Sequence, residues 1–194
     1  LPNQYNSDIA WVQFPHTAIG VGLKMLGLSL IWWEESSQLP RHHTTKPMYS
    51  QLSHNAREIV AKFTLATSQE VQLGCDWYPS ALAIAGRIAC KYGLRTEVVA
   101  GVIASLSPNN KWERNIVDAE NIIKCWASGG TRTDMLNVTV CTYGKMKAKA
   151  VDILTRDIPI VEILNGKKII EFFNCITNPA LNDVCIDGHA YSVW

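Results

Sequence analysis

The sequence predicts an all-α fold, and three observations carry that expectation. Apolar side chains recur at intervals of three and four through most of the chain after residue 55. Gly93, Pro108 and the Gly129-Gly130 pair fall at the ends of those runs. A single stretch, around Val138 and Val140, alternates as a strand would.

Taken in order, Asn55–Thr67 presents Ile59, Val60, Phe63 and Leu65 on an apolar side. A second helix is expected from Ser80, its N-cap, to Gly93. Thr96 suits the cap of a third, EVVAGVIASL, which places Val98, Val99, Val102 and Ile103 at core spacing and stops before Pro108. A fourth, from about Asn110 to Ala127, sets Trp112, Ile116, Ala119, Ile123 and Trp126 on one stripe, so both tryptophans read as packing. After the strand-like Thr131–Thr142 stretch, Lys145–Leu154 turns Met146, Ala150, Ile153 and Leu154 inward. Ile160–Leu164 and Lys167–Ile176 then make a tight helical hairpin across Asn165-Gly166, with Gly166 expected at positive φ.

The chain of 194 residues, 47% hydrophobic and 18% charged, has the means for an ordinary core. Residues 36–54 carry two prolines, many hydroxyls and no apolar period, so an N-terminal extension and linker (1–50) is expected before a helical domain (51–194). The six cysteines form no C-x-x-C pair, which argues against a zinc site or a disulfide framework; no metal or cofactor is called for. With no leader pattern at its start, the chain is expected in the cytoplasm of a bacterial cell or a phage-infected host. Net charge is +1, divided as −1 over residues 1–76 and +2 over the remainder, too mild to mark a nucleic-acid binder by electrostatics. Thr17–Trp33 is mostly apolar but holds Lys24 at its middle, and a spanning helix wants about 20 apolar residues. A buried or interface helix is therefore favoured over a membrane anchor.

The hairpin is where chemistry first becomes legible. Backbone N–H groups entering the second helix are unsatisfied by that helix and suit a phosphate oxygen, an anchor that needs few basic side chains. An ordinary helical hairpin is the alternative reading of the same residues.

Four stretches, in order, resemble motifs of the helix-hairpin-helix DNA glycosylase superfamily. They are VIASLSPNNKWERNIVDAENII (102–123), TYGKMKAKAVDIL (142–154), the hairpin ILNGKKIIEFFNCI (163–176) and VCIDGHAY (184–191). The resemblance spans roughly residues 57–194 and extends to phage and bacterial proteins sharing WYPSA, SPNNKWERN and D-x-H-A elements. It implies DNA as partner and excision of a damaged or modified base, with strand cleavage in bifunctional members. By that resemblance Asp187 is the catalytic carboxylate and Lys168, 19 residues earlier, the nucleophile, with Lys167 as the second candidate. A carboxylate stabilises positive charge developing on the sugar, and a neutral amine attacks C1′; burial against Phe172 or the adjacent ammonium would keep that amine neutral.

Asn165, Gly166, Lys167 and Lys145 fall where the resemblance implies DNA contacts, and Asn109 or Asn110 where a polar side chain enters the base stack. His189 is expected to make a structural hydrogen bond. Simpler roles stand beside these: phosphate contact for the two lysines, an N-cap for Asp187, a helix cap for the asparagines. Trp77 and Tyr78, beside Pro79, suit either stacking on a base or closing the domain. The hairpin reads Leu-Asn-Gly-Lys-Lys where the family has a longer glycine turn, and Gly188 separates Asp187 from His189. The family's further C-terminal helices would follow Trp194, so a face around Tyr191, Val193 and Trp194 is expected to need a second chain or a homo-oligomer. A non-catalytic DNA- or protein-binding module is the alternative function.

Overall fold

A computed structural model describes residues 57, 61, 64–180 and 183–186. They form α1 (Ser68–Tyr92), α2 (Thr96–Leu106), α3 (Trp112–Ala127), α4 (Arg132–Asn137), α5 (Gly144–Thr155), α6 (Ile160–Leu164) and α7 (Lys167–Thr177). The fold is all-α, with no strand among the described residues. The chain divides into two units, one of residues 1–77 with 182–194 and the other of residues 78–181. The expected boundary near residue 50 and most of the expected 55–67 helix lie outside the described residues, although residues 64–66 form a turn and bend.

In the first unit, α1 opens with a reciprocal cap. The Glu70 N–H donates to Thr67 Oγ1 at 3.2 Å while the Thr67 N–H donates to Glu70 Oε2 at 2.7 Å. This cap sets the start of the helix twelve residues before the expected Ser80, since 80 − 68 = 12. Ser80 lies inside α1, which runs through Pro79 and forgoes the amide bond that position would give the Cys75 carbonyl. The expected end holds, with Gly93 at φ +67° and the Leu94 N–H on the Ala89 carbonyl at 2.9 Å.

In the second unit the core is organised around α2. Every residue from Val99 to Leu106 is buried, because α3, α5, α6 and α7 all pack on it. An amphipathic stripe suffices for a helix covered on one side; this one reads as apolar all round because it is covered on several. Small residues let the neighbours close in. A β-carbon on Gly101 would stand 2.8 Å from Ile160 Cγ2 and 3.4 Å from Ile153 Cδ1, so hydrogen at that position is what lets α6 and α5 approach. Thr96 is the first residue of α2, not its cap; Arg95 occupies the cap position without a side-chain bond.

On α3 the buried face is Asn115, Asp118, Ala119, Ile122 and Ile123. The expected stripe is thus rotated: Trp112, Ile116 and Trp126 are only half-buried, and two polar residues occupy the centre. They are there because each meets a backbone group that needs it, as set out below. Gly129 at φ +79° ends the helix as expected.

Residues 138–140 form no strand but a loop, and the stretch that leads to them folds as α4. A capping box, with the Asp134 N–H on Thr131 Oγ1 at 3.2 Å and the Thr131 N–H on Asp134 Oδ2 at 2.8 Å, starts that helix, and the Thr131 hydroxyl, donating to Oδ2 at 2.6 Å, together with the Thr131 N–H holds the Asp134 carboxyl below its usual pKa. Two alternating valines cannot make a strand without a partner for their backbone. The helices at 144–155, 160–164 and 167–177 match expectation, with Met146, Ala150, Val151 and Ile153 of α5 inward and Leu154 half-buried.

Among the described residues no helix is long and apolar enough to cross a membrane, and no group of three or more histidine, cysteine or acidic side chains is placed to hold a metal ion. The Thr17–Trp33 segment lies outside the described residues.

Candidate functional site

The loop from Ser107 to Lys111 and the loop from Val138 to Tyr143 lead into α3 and α5, and one buried carboxylate joins them. Asp118, 0% exposed, accepts Arg114 Nε on Oδ1 at 2.7 Å. Its Oδ2 takes Asn110 Nδ2 at 3.1 Å and the Cys141 N–H at 2.7 Å. A buried carboxylate requires such a shell, and its hydrogen bond, then its charge, raises the pKa of the half-exposed Arg114 guanidinium. Thr142 Oγ1 adds a second clasp by donating to the Pro108 carbonyl at 2.6 Å.

Asn115 explains why an amide sits at the centre of α3. At the end of α2 the Ser107 N–H bonds the Ala104 carbonyl at 3.3 Å, a tightened last turn that takes it away from Ile103. Asn115 Nδ2 supplies the Ile103 carbonyl instead, at 3.0 Å.

The clasped loops carry two exposed groups forward. Asn109 stands at φ +56° and is exposed, whereas Asn110 is committed to Asp118. Of the two candidates for entering a base stack, Asn109 is therefore the one facing solvent. Tyr143, 54% exposed, lies on the partner loop one residue after the Thr142 clasp. Its ring is open to a partner that could stack on it, and the sequence reading did not single it out. Lys145 follows it, exposed, in a first turn without an acidic residue.

At the hairpin the structure corrects the turn. Asn165 takes the left-handed conformation, φ +43°, and Gly166 is extended at φ −163°. Asparagine enters that region more readily than most residues, so the glycine is not needed for it. Gly166 caps α7 with no side-chain bond, and Lys167 and Lys168 fill a first turn that holds no acidic group. The expected burial of Lys168 against Phe172 is also corrected: Lys168 is exposed, because it sits in the outward first turn. Phe172 meets Tyr78 instead, ring edge to face with centroids 6.3 Å apart, which gives Tyr78 a role in closing the unit.

Lys147 and Lys149 were not among the expected site residues. Lys147 Nζ donates to the Val138 carbonyl at 3.0 Å, and Lys149 Nζ donates to the Leu164 carbonyl. Two positions apart on a helix they point to nearly opposite sides, so α5 grips α4 with one and α6 with the other. The alternation Lys145, Lys147, Lys149 was the visible signal; which carbonyls it served was not.

Asp187 and His189 lie outside the described residues, as do Tyr191, Val193 and Trp194. The structure thus brings Asn109, Asn110 and Asp118 together around one pair of loops and Asn165, Gly166, Lys167 and Lys168 around the hairpin.

Neither the curated proteins nor the solved structures offer a match to this chain. A protein-family model described as a family of unknown function (DUF7178) matches residues 42–194, which is most of the sequence. On that match, the chain belongs to the DUF7178 family.

Proposed function

We propose that this protein binds DNA through the Asn165–Lys168 hairpin and excises a damaged or modified base, in the manner of the helix-hairpin-helix glycosylases its sequence resembles. The observation that carries the reading is the hairpin itself. A five-residue helix, a left-handed Asn165 and an extended Gly166 lead into a helix whose first turn has no side-chain cap, no acid and two lysines. A helix start favours an anion through its dipole and the N–H groups of its first turn. The clasped loops add exposed Asn109 and Tyr143, a polar tip and an aromatic ring suited to the gap left by an extruded nucleotide. In this reading the base leaves with the electron pair of its bond to C1′, and the Asp187 carboxylate stabilises the positive charge left on the sugar. Lys168 as a neutral amine bonds to C1′ and gives up a proton, and ring opening yields an imine.

A second reading is favoured by the exposure of Lys168. An exposed lysine at a helix start is a fitting phosphate contact, and in this reading the domain binds DNA without cleaving it. Borohydride trapping on duplexes with an abasic site or modified bases separates the two. The catalytic reading expects a covalent adduct lost in Lys168→Ala and base release lost in Asp187→Asn. Salt-sensitive binding with neither adduct nor base release would establish the non-catalytic one.

A further inference from the structure

We propose that Lys149 is a positioning residue that sets the geometry of the hairpin, an inference whose functional side rests on the hairpin being a phosphate anchor. With five residues, α6 is too short to hold its shape alone, and its last carbonyls need donors from elsewhere. The Asn165 N–H closes one such bond, to the Val161 carbonyl at 3.2 Å. At Asn165 the backbone turns left-handed and at Gly166 it is extended, so the chain leaves the helical path at that point. The Leu164 carbonyl, directly before the turn, receives the half-buried ammonium of Lys149 from α5.

This contact has two consequences. It ties the turn to α5, which packs on the buried α2, so the start of α7 is referred to the core of the unit. It also offsets the negative end of a carbonyl dipole that lies close to the anion site. The Leu164 oxygen is 3.8 Å from where a side chain on Gly166 would begin, and an unmet carbonyl there would oppose a phosphate approaching the Gly166 and Lys167 amides. A lysine supplies charge and donor together at this place; a neutral side chain supplies at most the donor.

The test compares the whole chain with Lys149→Met, which loses donor and charge, and Lys149→Arg, which keeps both. Hydrogen exchange at the Asn165 amide is measured against the amides of α2, beside binding to an abasic-site duplex over a range of salt. We expect Lys149→Met to speed Asn165 exchange by about tenfold or more while α2 stays protected, to weaken duplex binding by a similar factor, and Lys149→Arg to recover both. If Lys149→Met fails to fold, Lys149→Gln serves in its place, with exchange expected between wild type and full loss.

Asn165 exchange within about twofold of wild type would overturn the proposal whatever the DNA result. Faster exchange with unchanged duplex affinity would overturn its functional side. A wild-type chain that fails to bind any duplex, with exchange altered as expected, would leave the positioning in place and remove the phosphate reading.

Discussion

The carboxylate of Asp118 accepts the backbone N–H of Cys141 at 2.7 Å, across 23 residues of sequence, and also accepts Arg114 and Asn110. One side chain thereby fixes the two loops that enter α3 and α5. Asp118→Ala takes the acceptor from the Asn110 amide and the Cys141 N–H while the exposed Arg114 can turn to water, and part-buried donors left unmet cost about 1–3 kcal/mol. Urea denaturation is expected to show that loss. Asp118→Asn keeps the shape but turns an NH2 toward donors, and should fall between the two.

Asn115→Ala removes the donor from the Ile103 carbonyl in a fully buried setting. The expected cost is about 1–3 kcal/mol for the unsatisfied carbonyl, plus packing loss. A drop in the thermal midpoint checks it, and a change within error would show that the end of α2 finds another partner.

Gly101→Ala sets two effects against each other. Alanine favours a helix interior by about 1 kcal/mol, but its β-carbon would meet Ile160 Cγ2 at 2.8 Å, and overpacking of this kind costs roughly 1–3 kcal/mol. Ile160 is branched at the contact and cannot swing its tip aside, so a net loss is expected. Pairing Gly101→Ala with Ile160→Val, which still carries the contacting branch, should recover little, whereas Ile160→Ala should relieve the clash.

The hairpin turn gives a discriminating pair. Gly166→Ala is expected to leave stability unchanged or raise it by about 0.4–1 kcal/mol, because φ −163° suits any residue and the new β-carbon has ordinary room. Asn165→Val should destabilise by about 1–2 kcal/mol, since a branched residue resists the left-handed region. If Gly166→Ala folds as wild type yet binds duplex DNA less well, close approach of a phosphate to that backbone is the remaining reason for glycine.

Acid lability can be assigned in part to Glu120. Its carboxyl is held below the ordinary value, chiefly by the hydrogen bond from Lys91 at 2.6 Å and further by Tyr92. A lowered folded-state value means the stabilisation is complete above the unfolded-state value and is lost as pH falls through the folded one. Lys91 is raised by the same bond, so its share is complete below its unfolded-state value and lost only as pH rises through the folded one. Between these limits the pair contributes evenly. Denaturation of wild type and Glu120→Gln should differ at neutral pH and converge once the Glu120 carboxyl is protonated in folded and unfolded states alike; a difference that persists in acid would assign the effect to packing.

Much of the fold was legible from spacing alone. The period of α2, the stop at Gly93, the extent of α5 and the hairpin at 165–166 all follow from local patterns, because apolar period and turn residues are written in the chain itself. The start of α1 was legible too, in the Thr67–Glu70 box, although Ser80 was the expected cap. What spacing could not reveal was which polar residues lie inside. Asn115 and Asp118 occupy the buried face of α3 because a carbonyl at the end of α2 and an amide at Cys141 come to meet them, and those groups are 12 and 23 residues away. Likewise Lys147 and Lys149 were given no role by spacing, and it is α4 and α6 that bring carbonyls within their reach; the left-handed residue of the hairpin is Asn165 and not the expected Gly166. The sequence by itself thus determined the longer helices and their order, since these depend on neighbours in the chain, but not the short α4. The tertiary structure decided which donors and acceptors pair, because an unmet buried polar group is costly and its partner is set by position in space.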